Sequence, residues 1–569
     1  MQTRFLVSLL IILVIFTLST FSEELPIISS STAQNGEIIT LPLSGVFSDD
    51  LFEEIKIIPA LSSVTIRATN IPIKSKYVIF QVHSFQYNIS LLYDEIISKN
   101  NHVNGTNVGL VRVLTGSGIT QVFLKNYNLN TNVTVLIAVQ AYNANDPIPG
   151  GCNMEFAVEV APYLEVQYTT SLVKMKSQLA SPPAPLTCSS TGLLEYEVYH
   201  LFLLERDFES PAYFKGLRSM LTVDRIKANG RKVPQPLGLP DIQRVFSAYP
   251  GTGSVFAVIV NFKSFTSNTV TAAAYVPSLT YACSTSYWTD TCEVLTSTFS
   301  KLLCAIVFFL GIFLCFVGHI FFKTEMFVFG FLSGGLVSYV LVAMPGNFDY
   351  GAHLIISVVI GIIFGGFWLC LWWFYAIPAL STVLVSLTLG YLVASITFFA
   401  GAGDFEIFQS DMNYWSAFLS VIVVVPLLVV LAAHIANMIA CSILGSYAII
   451  APIDHYIGSN LKYILINTIR RATNKEFRTA VIDPPFQVRD LSLTVGWLVL
   501  AILGVCTQLY LQRNKPPFPP PPFGVLQDRQ DLLDHERRPL LASQPRNTYA
   551  TMSGDDDVFE PTAGPSSAH

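Results

Sequence analysis

The chain has 569 residues, of which 51% are hydrophobic and 13% are charged, and its formal net charge at pH 7 is -6. Its mean hydropathy is +0.50, whereas soluble domains carry about 25% charged residues. This composition indicates an integral membrane protein. Charges of both signs are spread along the chain, which argues against nucleic acid as a partner.

The first predicted element is a signal peptide over residues 1–22. Arg4 precedes a short apolar run, and Thr20 and Ser22 are small enough for the positions before a cleavage point. An uncleaved first span is the alternative, since the run 5–18 could be extended to spanning length. The shortness of the run and the long polar region after it favour cleavage.

A β-rich, sandwich-like ectodomain is predicted between the signal peptide and residue 300. Segments such as YVIFQVHSF and MEFAVEVAPYLEVQY alternate apolar and polar residues between turn residues, which is typical of half-buried strands. The proline-rich segment SPPAPLTC, Ser181–Cys188, is the expected linker between two halves, 23–180 and 181–300. A length of about 280 residues suits two cores better than one.

The ectodomain is expected to face the lumen of the secretory pathway. Three N-glycosylation sequons fall in its first half, and none lies elsewhere in the chain. Their acceptor residues are Asn88, Asn104 and Asn132. Because the sequons follow a signal peptide, we expect at least one of them to carry a glycan.

The cysteines fall into two groups. Four precede the spans, in an oxidising compartment, and four cysteines allow three pairings. We predict that Cys152 pairs with Cys188 and that Cys283 pairs with Cys292. The other five lie in apolar segments and are interpreted as small packing residues; they are Cys304, Cys315, Cys370, Cys441 and Cys506. The cysteine spacing predicts no metal site, and no cofactor is expected.

An all-α, seven-span transmembrane bundle is predicted over residues 301–512. Seven hydrophobic stretches each have about the 20 residues that a helix needs to cross a bilayer. They lie at 302–322, 326–344, 353–374, 380–400, 415–434, 437–455 and 492–511. With a translocated N-terminus, this odd number puts a disordered tail, 513–569, in the cytosol.

The loop from Tyr456 to Asp490 conflicts with this topology. Seven spans place it outside, where few basic residues are expected. It nevertheless contains Lys462, Arg470, Arg471, Lys475, Arg478 and Arg489. Its segment LKYILINTIRRA is amphipathic, so we expect it to lie in the membrane interface with its cations among lipid headgroups. A different span count, with this loop inside, is the alternative.

The predicted spans contain few ionisable residues, which mark functional sites in membranes. Asp, Glu, Lys and Arg are absent from 350–403 and from 412–453. The histidines near span ends are His319, His353, His434 and His455. We interpret them as boundary residues, with Asp454 beside His455 as an alternative polar site. This pattern argues against an ion-coupled transporter and an intramembrane hydrolase.

The cytosolic tail combines a proline-rich spacer with two acidic dileucine motifs. The motif residues are Asp528, Leu532 and Leu533, then Glu536, Leu540 and Leu541. Two leucines on a mobile strand fit an apolar pocket while the acid meets a basic patch. The motifs therefore predict clathrin-adaptor complexes as partners and sorting through the secretory pathway and plasma membrane to endosomes and lysosomes.

Four long stretches carry a resemblance that covers nearly the whole chain: DPIPGGCNMEF, AAAYVPSLTYACS, FVGHIFFKTEMFVFGF and NTIRRATNKEFRTAVIDPPFQVRD. They resemble the transmembrane 7 superfamily member 3 family, and the span block is similar to that of transmembrane protein 198. The resemblance implies seven spans, a large glycosylated ectodomain and a cytosolic tail. It also implies an association with cell survival and control of protein-folding stress, without an agreed biochemical activity.

The function predicted is that of a non-enzymatic, seven-span membrane glycoprotein in membrane-protein homeostasis, stress attenuation or cell-survival signalling. Membrane lipids are expected partners, and the sequence names no partner for the ectodomain. The alternative is a lipid- or solute-handling membrane protein with an uncharged pathway through the bundle. A deep cavity between the spans would favour this alternative, whereas a closed bundle under a well-formed ectodomain would favour the first function.

Overall fold

The computed structural model describes residues 30–533 apart from 45–50, 115–117, 236–241, 264–269, 285–291, 293–297, 345–349, 376, 430–431, 517 and 519–525. The predicted signal peptide lies outside the described residues, and so do Glu536, Leu540 and Leu541 of the tail. Within the described residues, two β-sandwiches precede a bundle of long α-helices.

The first sandwich consists of two five-stranded sheets around an apolar core. One sheet has the order β1 (Ser31–Thr32), β3 (Leu51–Ile58), β10 (Val133–Asn143), β5 (Ser75–Ser84) and β8 (Asn107–Val113). The other has the order β2 (Ile38–Pro42), β4 (Ser63–Thr69), β9 (Thr120–Lys125), β6 (Ile89–Leu92) and β7 (His102–Gly105). Phe80 and Val139 of the first sheet face Leu124 of the second across this core.

The sheet that contains β10 is buried on both faces. Val135, Ile137 and Val139 point into the core of the first sandwich. Leu136 and Ala138, which alternate with them, pack against the second sandwich instead. Burial on both faces explains why β10, VTVLIAVQAYN, is almost continuously apolar.

The second sandwich also has two sheets. One has the order β11 (Glu165–Tyr168), β12 (Leu172–Lys176), β15 (Gln243–Ser247) and β19 (Ala480–Val481). The other has the order β14 (Arg231–Lys232), β13 (Leu194–Glu205), β16 (Thr252–Lys263) and β17 (Val270–Ala274), with β18 (Ser278–Thr280) also paired to β16. Helices α1 (Ser210–Arg218) and α2 (Val223–Asn229) pack between this sheet and the first sandwich, where Tyr213 and Ile226 join the cluster of Ile55 and Leu136.

The predicted linker Ser181–Cys188 is not a domain boundary. It connects β12 to β13, the two sheets of one sandwich, and Met175 and Tyr196 on either side of it share one core. The boundary between the two sandwiches lies instead between β10 and β11. The predicted division into 23–180 and 181–300 is therefore wrong, because residue 180 lies within the second sandwich. Proline marks a loop, but it does not distinguish a loop within a domain from one between domains.

Seven long α-helices follow in the described part of the chain. They are α3 (Thr298–Val317), α4 (Phe322–Ala343), α5 (Tyr350–Tyr375), α6 (Pro378–Phe399), α7 (Asp411–Val429), α8 (Ala433–Ile457) and α10 (Val488–Gln512), with the short α9 (Tyr463–Thr473) before the last. By length and hydropathy, six stretches of these residues could cross a membrane, and the first, Lys301–Ala343, has 43 residues. It contains both α3 and α4, broken by the 3-10 turn Gly318–Phe321. At about 1.5 Å per residue, it is about twice as long as the bilayer core is thick.

Glycines allow the long helices to pack closely. A Cβ added to Gly365 of α5 would lie 2.8 Å from the carbonyl oxygen of Phe327 in α4. A Cβ added to Gly390 of α6 would lie 2.6 Å from the carbonyl oxygen of Ile422 in α7. These small residues therefore serve contacts within the bundle.

Candidate functional site at the junction of ectodomain and bundle

The last loop of the bundle contributes a strand to the ectodomain. Strand β19 pairs in parallel with β15, with Ala480 opposite Val245 and Val481 opposite Phe246. The Tyr249 hydroxyl donates to the carbonyl of the next loop residue, Ile482. The segment that separates two membrane helices thus completes a sheet of the second sandwich.

The amphipathic segment of this loop is α9, and its Arg470 binds the ectodomain. The two terminal nitrogens of Arg470 donate to the carbonyl oxygens of Ala248 at 2.8 Å and Thr170 at 2.7 Å. Its guanidinium lies 5.0 Å from the ring centre of Tyr463. Burial lowers the pKa of Arg470, and these carbonyls and the ring compensate the buried charge.

Arg471 anchors α9 on its other side, to the loop between α6 and α7. It donates to the carbonyls of Arg478 at 2.6 Å and Phe408 at 3.0 Å, and its Nη2 lies 3.3 Å from an Asp411 oxygen. The guanidinium stacks 4.4 Å from the ring centre of Tyr414. One helical turn thus joins the ectodomain to two inter-helix loops.

The prediction that the cations of α9 lie among lipid headgroups is therefore wrong for Arg470 and Arg471. Both are held by protein carbonyls, and α9 is covered by the ectodomain, which sequence periodicity does not reveal. This contact also explains the conflict with the positive-inside pattern. The basic loop lies on the side of the ectodomain because ectodomain and loop groups satisfy its charges.

A cluster of buried acids lies beside α9, where α8 ends and α10 begins. The Asp454 carboxylate accepts from the backbone N–H groups of Leu461 at 2.9 Å and Lys462 at 3.1 Å, and it pairs with the Lys462 ammonium at 3.3 Å. Asp490 accepts from the N–H groups of Asn460 at 2.8 Å and Gln487 at 3.1 Å. The polar site suspected at Asp454 is thus a set of caps that fixes the turn between α8 and α9.

Glu205, at the end of β13, completes this cluster from the ectodomain. Its side chain is buried and accepts from the Asn460 amide. Burial, together with the neighbouring Asp490, raises the pKa of Glu205 to about 9. Glu205 is therefore protonated at neutral pH, and the ectodomain contacts the bundle here without adding a buried negative charge.

A second polar contact surrounds Asp483, just after β19. Its carboxylate lies 2.6 Å from His200 Nε2 and also pairs with Arg231, both from the ectodomain. Its backbone N–H donates to Asp404 at 3.1 Å. Beside these groups lies a groove of about 470 Å³, lined in part by Leu203, Phe486 and His200.

The remaining predicted site residues lie away from this junction. Asn88, Asn104 and Asn132 are exposed on the first sandwich. Cys152 is bonded to Cys188, with 5.7 Å between their Cα atoms, and Cys283 is bonded to Cys292, with 5.1 Å. In the tail, residues 526–533 form a short exposed helix where disorder was predicted, and it carries Asp528, Leu532 and Leu533.

Sequence reasoning missed the junction as a whole. It noted Asp454 and the basic loop, but it did not connect them with Glu205, His200 or Ala248, which lie more than 200 residues earlier in the chain. The available signal was the combination of a basic outside loop with the strand-like segment RTAVI. That signal indicates a loop with a protein partner on the outer side.

Fold and junction together define a class of membrane protein, in which two immunoglobulin-like sandwiches stand on a bundle of seven helices and share a strand with it. Three family models match the chain. They are the TM7SF3-like N-terminal immunoglobulin-like domain at residues 45–142, the TM7SF3-like second immunoglobulin-like domain at 147–286 and the TM7S3/TM198-like domain at 304–509. The first two models meet where the structure places the boundary between the sandwiches.

Known relatives identify the family. The chain is 32% identical to Transmembrane 7 superfamily member 3 from Homo sapiens, over 80% of this chain and 81% of the relative. It is also 32% identical to the protein of that name from Rattus norvegicus, over 80% and 82%. The chain therefore belongs to the transmembrane 7 superfamily member 3 family.

A comparison with solved structures adds no functional information. It matches the crystal structure of Aeromonas hydrophila PliG, a periplasmic lysozyme inhibitor of g-type lysozyme. The identity is 9% and the TM-score 0.15, over 19% of this chain and 99% of that one.

Proposed function

We propose that the protein is a non-enzymatic membrane glycoprotein that acts in membrane-protein homeostasis, stress attenuation or cell-survival signalling by relaying the state of its ectodomain to its helices. The observation that supports this proposal is the shared strand between β15 and β19. A partner that shifts the second sandwich also shifts the loop between α8 and α10, because the sheet hydrogen bonds and Arg470 connect them.

The contacts are suited to such a relay. Arg470 reaches the ectodomain while its neighbour Arg471 reaches the loop before α7. Glu205 and Gln487 connect the end of β13 to the start of α10, where the Gln487 amide donates to the Leu203 carbonyl at 2.6 Å. A movement of the ectodomain is therefore transmitted to α7, α8 and α10 through side chains that are already in contact.

A cell-based rescue experiment tests this function. Cells that lack the protein receive the wild type, R470A/R471A or the exposed-lysine control K475A, at matched surface levels. Under inhibition of protein folding in the secretory pathway, we expect the wild type and K475A to lower a stress-response reporter and to restore survival. R470A/R471A should reach the membrane without restoring either. Equal reporter signals in cells with and without the wild type would contradict the proposal.

Lipid or solute handling remains the second candidate function, and the junction groove favours it. The groove lies where α10 begins and combines apolar Leu203 and Phe486 with the cation of Arg231. Its volume of about 470 Å³ falls within the range of small-molecule sites. Native mass spectrometry of the purified chain tests this candidate, since a retained lipid that is lost in R231A would support it.

A further inference from the structure

A second buried polar cluster lies at the end of the bundle opposite the ectodomain. Glu325, in the first turn of α4, is 0% exposed, and Asn437 of α8 is 1% exposed. The Asn437 amide nitrogen donates to Glu325 Oε1 at 2.7 Å and lies 3.0 Å from His319 Nδ1 in the turn between α3 and α4. This arrangement links a buried carboxyl group to an imidazole through one amide.

Two oxygens of this cluster lack a hydrogen-bond partner. Glu325 Oε2 and Asn437 Oδ1 are buried and accept no hydrogen bond. Among the described residues, no lysine or arginine forms an ion pair with Glu325. A buried carboxylate without a compensating cation costs several kcal/mol, on the order of its desolvation free energy. The site therefore requires a positive charge on or beside Glu325.

The surrounding groups determine which cation fits. Cys441 of α8 lies against Glu325, and Cys315 of α3 adjoins Cys441. His319 reaches Glu325 only through Asn437, and His434 contacts the ring of His319. Lys323, on the same helix as Glu325, points to the exposed surface. Among the described residues, no group of three His, Cys, Asp or Glu side chains could hold a metal ion. A proton needs no such ligand set.

We propose that Glu325, Asn437 and His319 form a proton-binding site at the cytosolic end of the bundle. One proton from water adds to the carboxylate and yields a neutral carboxylic acid. The acid becomes a donor at the oxygen that otherwise lacks a partner. The ring centres of His319 and His434 are 4.8 Å apart, and His319 is linked to the carboxyl group through Asn437.

Phe518 covers the site. Its ring centre lies 5.7 Å from that of His319, 5.3 Å from that of Phe322 and 5.9 Å from that of His434. Phe518 belongs to the proline-rich segment that follows α10. Exchange of the Glu325 proton with water therefore requires this ring to move.

Infrared spectroscopy of the purified full chain tests the proton directly. At neutral pH, the wild-type spectrum minus that of E325Q should contain the carbonyl band of a protonated carboxylic acid that shifts in D₂O. E406Q is the negative control, because Glu406 is exposed. E205Q is the positive control, because it removes the second carboxyl group that we expect to be protonated. In F518A, the carbonyl band of Glu325 should shift faster after transfer to D₂O than it does in the wild type.

Three outcomes would overturn the proton assignment. The first is a difference spectrum, wild type minus E325Q, without the carbonyl band of a protonated carboxylic acid. The second is a failure of E325Q to fold, because a neutral amide mimics the protonated acid. The third is a carboxylate band at Glu325 that responds to added Na⁺ or Zn²⁺, which would assign a metal cation instead. An unchanged exchange rate in F518A would overturn the role of Phe518.

Discussion

Arg470, in the loop between the last two membrane helices, donates a hydrogen bond of 2.8 Å to the carbonyl oxygen of Ala248, in the second immunoglobulin-like domain. The two residues are 222 positions apart in the chain. Their contact assigns the basic loop to the side of the ectodomain. It also makes the junction a place where single substitutions affect both parts of the molecule.

Substitution R470A should destabilise this junction. It leaves the carbonyls of Ala248 and Thr170 without their donor, and we expect a loss of about 2 to 4 kcal/mol. Thermal unfolding and limited proteolysis of the purified full chain measure this effect. R470K should rescue little, because lysine lacks the planar fork that reaches two carbonyls. The exposed control K475A should change stability by less than about 0.5 kcal/mol, and an equal loss in both variants would contradict the assignment.

His83 should make the contact between the two sandwiches sensitive to acid. Its Nδ1 lies 2.9 Å from the Asn107 amide oxygen, which also accepts from the Tyr213 hydroxyl of the second sandwich at 3.2 Å. Burial lowers the pKa of His83 from 6.5 to about 4. The unfolded chain therefore binds a proton between these values that the folded chain excludes. Stability should fall by about 3 kcal/mol as the pH drops through this window.

The variant H83Q isolates this contribution. It keeps an amide donor near Asn107 but does not titrate, so its melting temperature should fall less steeply with acidity than that of the wild type. The comparison uses the difference between the two pH profiles, since other groups titrate equally in both proteins. Parallel profiles would show that His83 is not the responsible group.

The sequence predicted element types well and long-range contacts poorly. The long helices follow from apolar stretches, because each apolar stretch lies within one continuous segment of the chain. The disulfide partners Cys283 and Cys292 are close in sequence, so a local argument sufficed. In contrast, β19 has two residues and derives its stability from β15, more than 200 positions away. No local pattern encodes that pairing.

The candidate site shows the same limit. Charged residues such as Arg471 and Asp490 were visible in the sequence, but their partners are set by the fold. The amphipathic pattern of α9 indicated a surface, and membrane lipid was the simplest surface available. In the structure, α9 packs against the ectodomain instead. Glu325 escaped notice for a related reason, because it lies at a helix start, where sequence predicts contact with water.

The exposed sequons should carry the glycans of the ectodomain. Asn88, Asn104 and Asn132 are all exposed, so an attached sugar meets no steric barrier from the fold. Glycosidase treatment of the full chain should lower its apparent mass, and replacing all three residues with Gln should abolish that shift. A triple variant that still shifts would point to another glycosylated residue.

The disulfide Cys152–Cys188 should stabilise the second sandwich. It closes a loop of 36 residues, for which chain entropy predicts about 3 to 4 kcal/mol. C152S/C188S should therefore lower the unfolding temperature of the full chain more than C283S/C292S, whose loop spans 9 residues. A non-reducing peptide map provides the matching observation, in which Cys152 is linked to Cys188. Free thiols at all four positions would contradict the oxidised ectodomain.

The dileucine motifs of the tail should control surface abundance. Leu532 and Leu533 are 68% and 47% exposed, so replacing them disturbs no packing in the described residues. Each leucine that enters an adaptor pocket contributes about 1.5 to 3 kcal/mol, and L532A/L533A/L540A/L541A should therefore lose adaptor binding and accumulate at the cell surface.

Surface biotinylation beside the wild type measures this change. L526A is the matched control, because Leu526 lies on the same short helix, is 51% exposed and belongs to neither motif. A surface fraction of the four-leucine variant equal to those of the wild type and L526A would mean that the leucine pairs do not direct sorting. A rise in surface fraction confined to the four-leucine variant would place adaptor recognition at these pairs. L526A also removes an exposed leucine, but it leaves both leucine pairs intact.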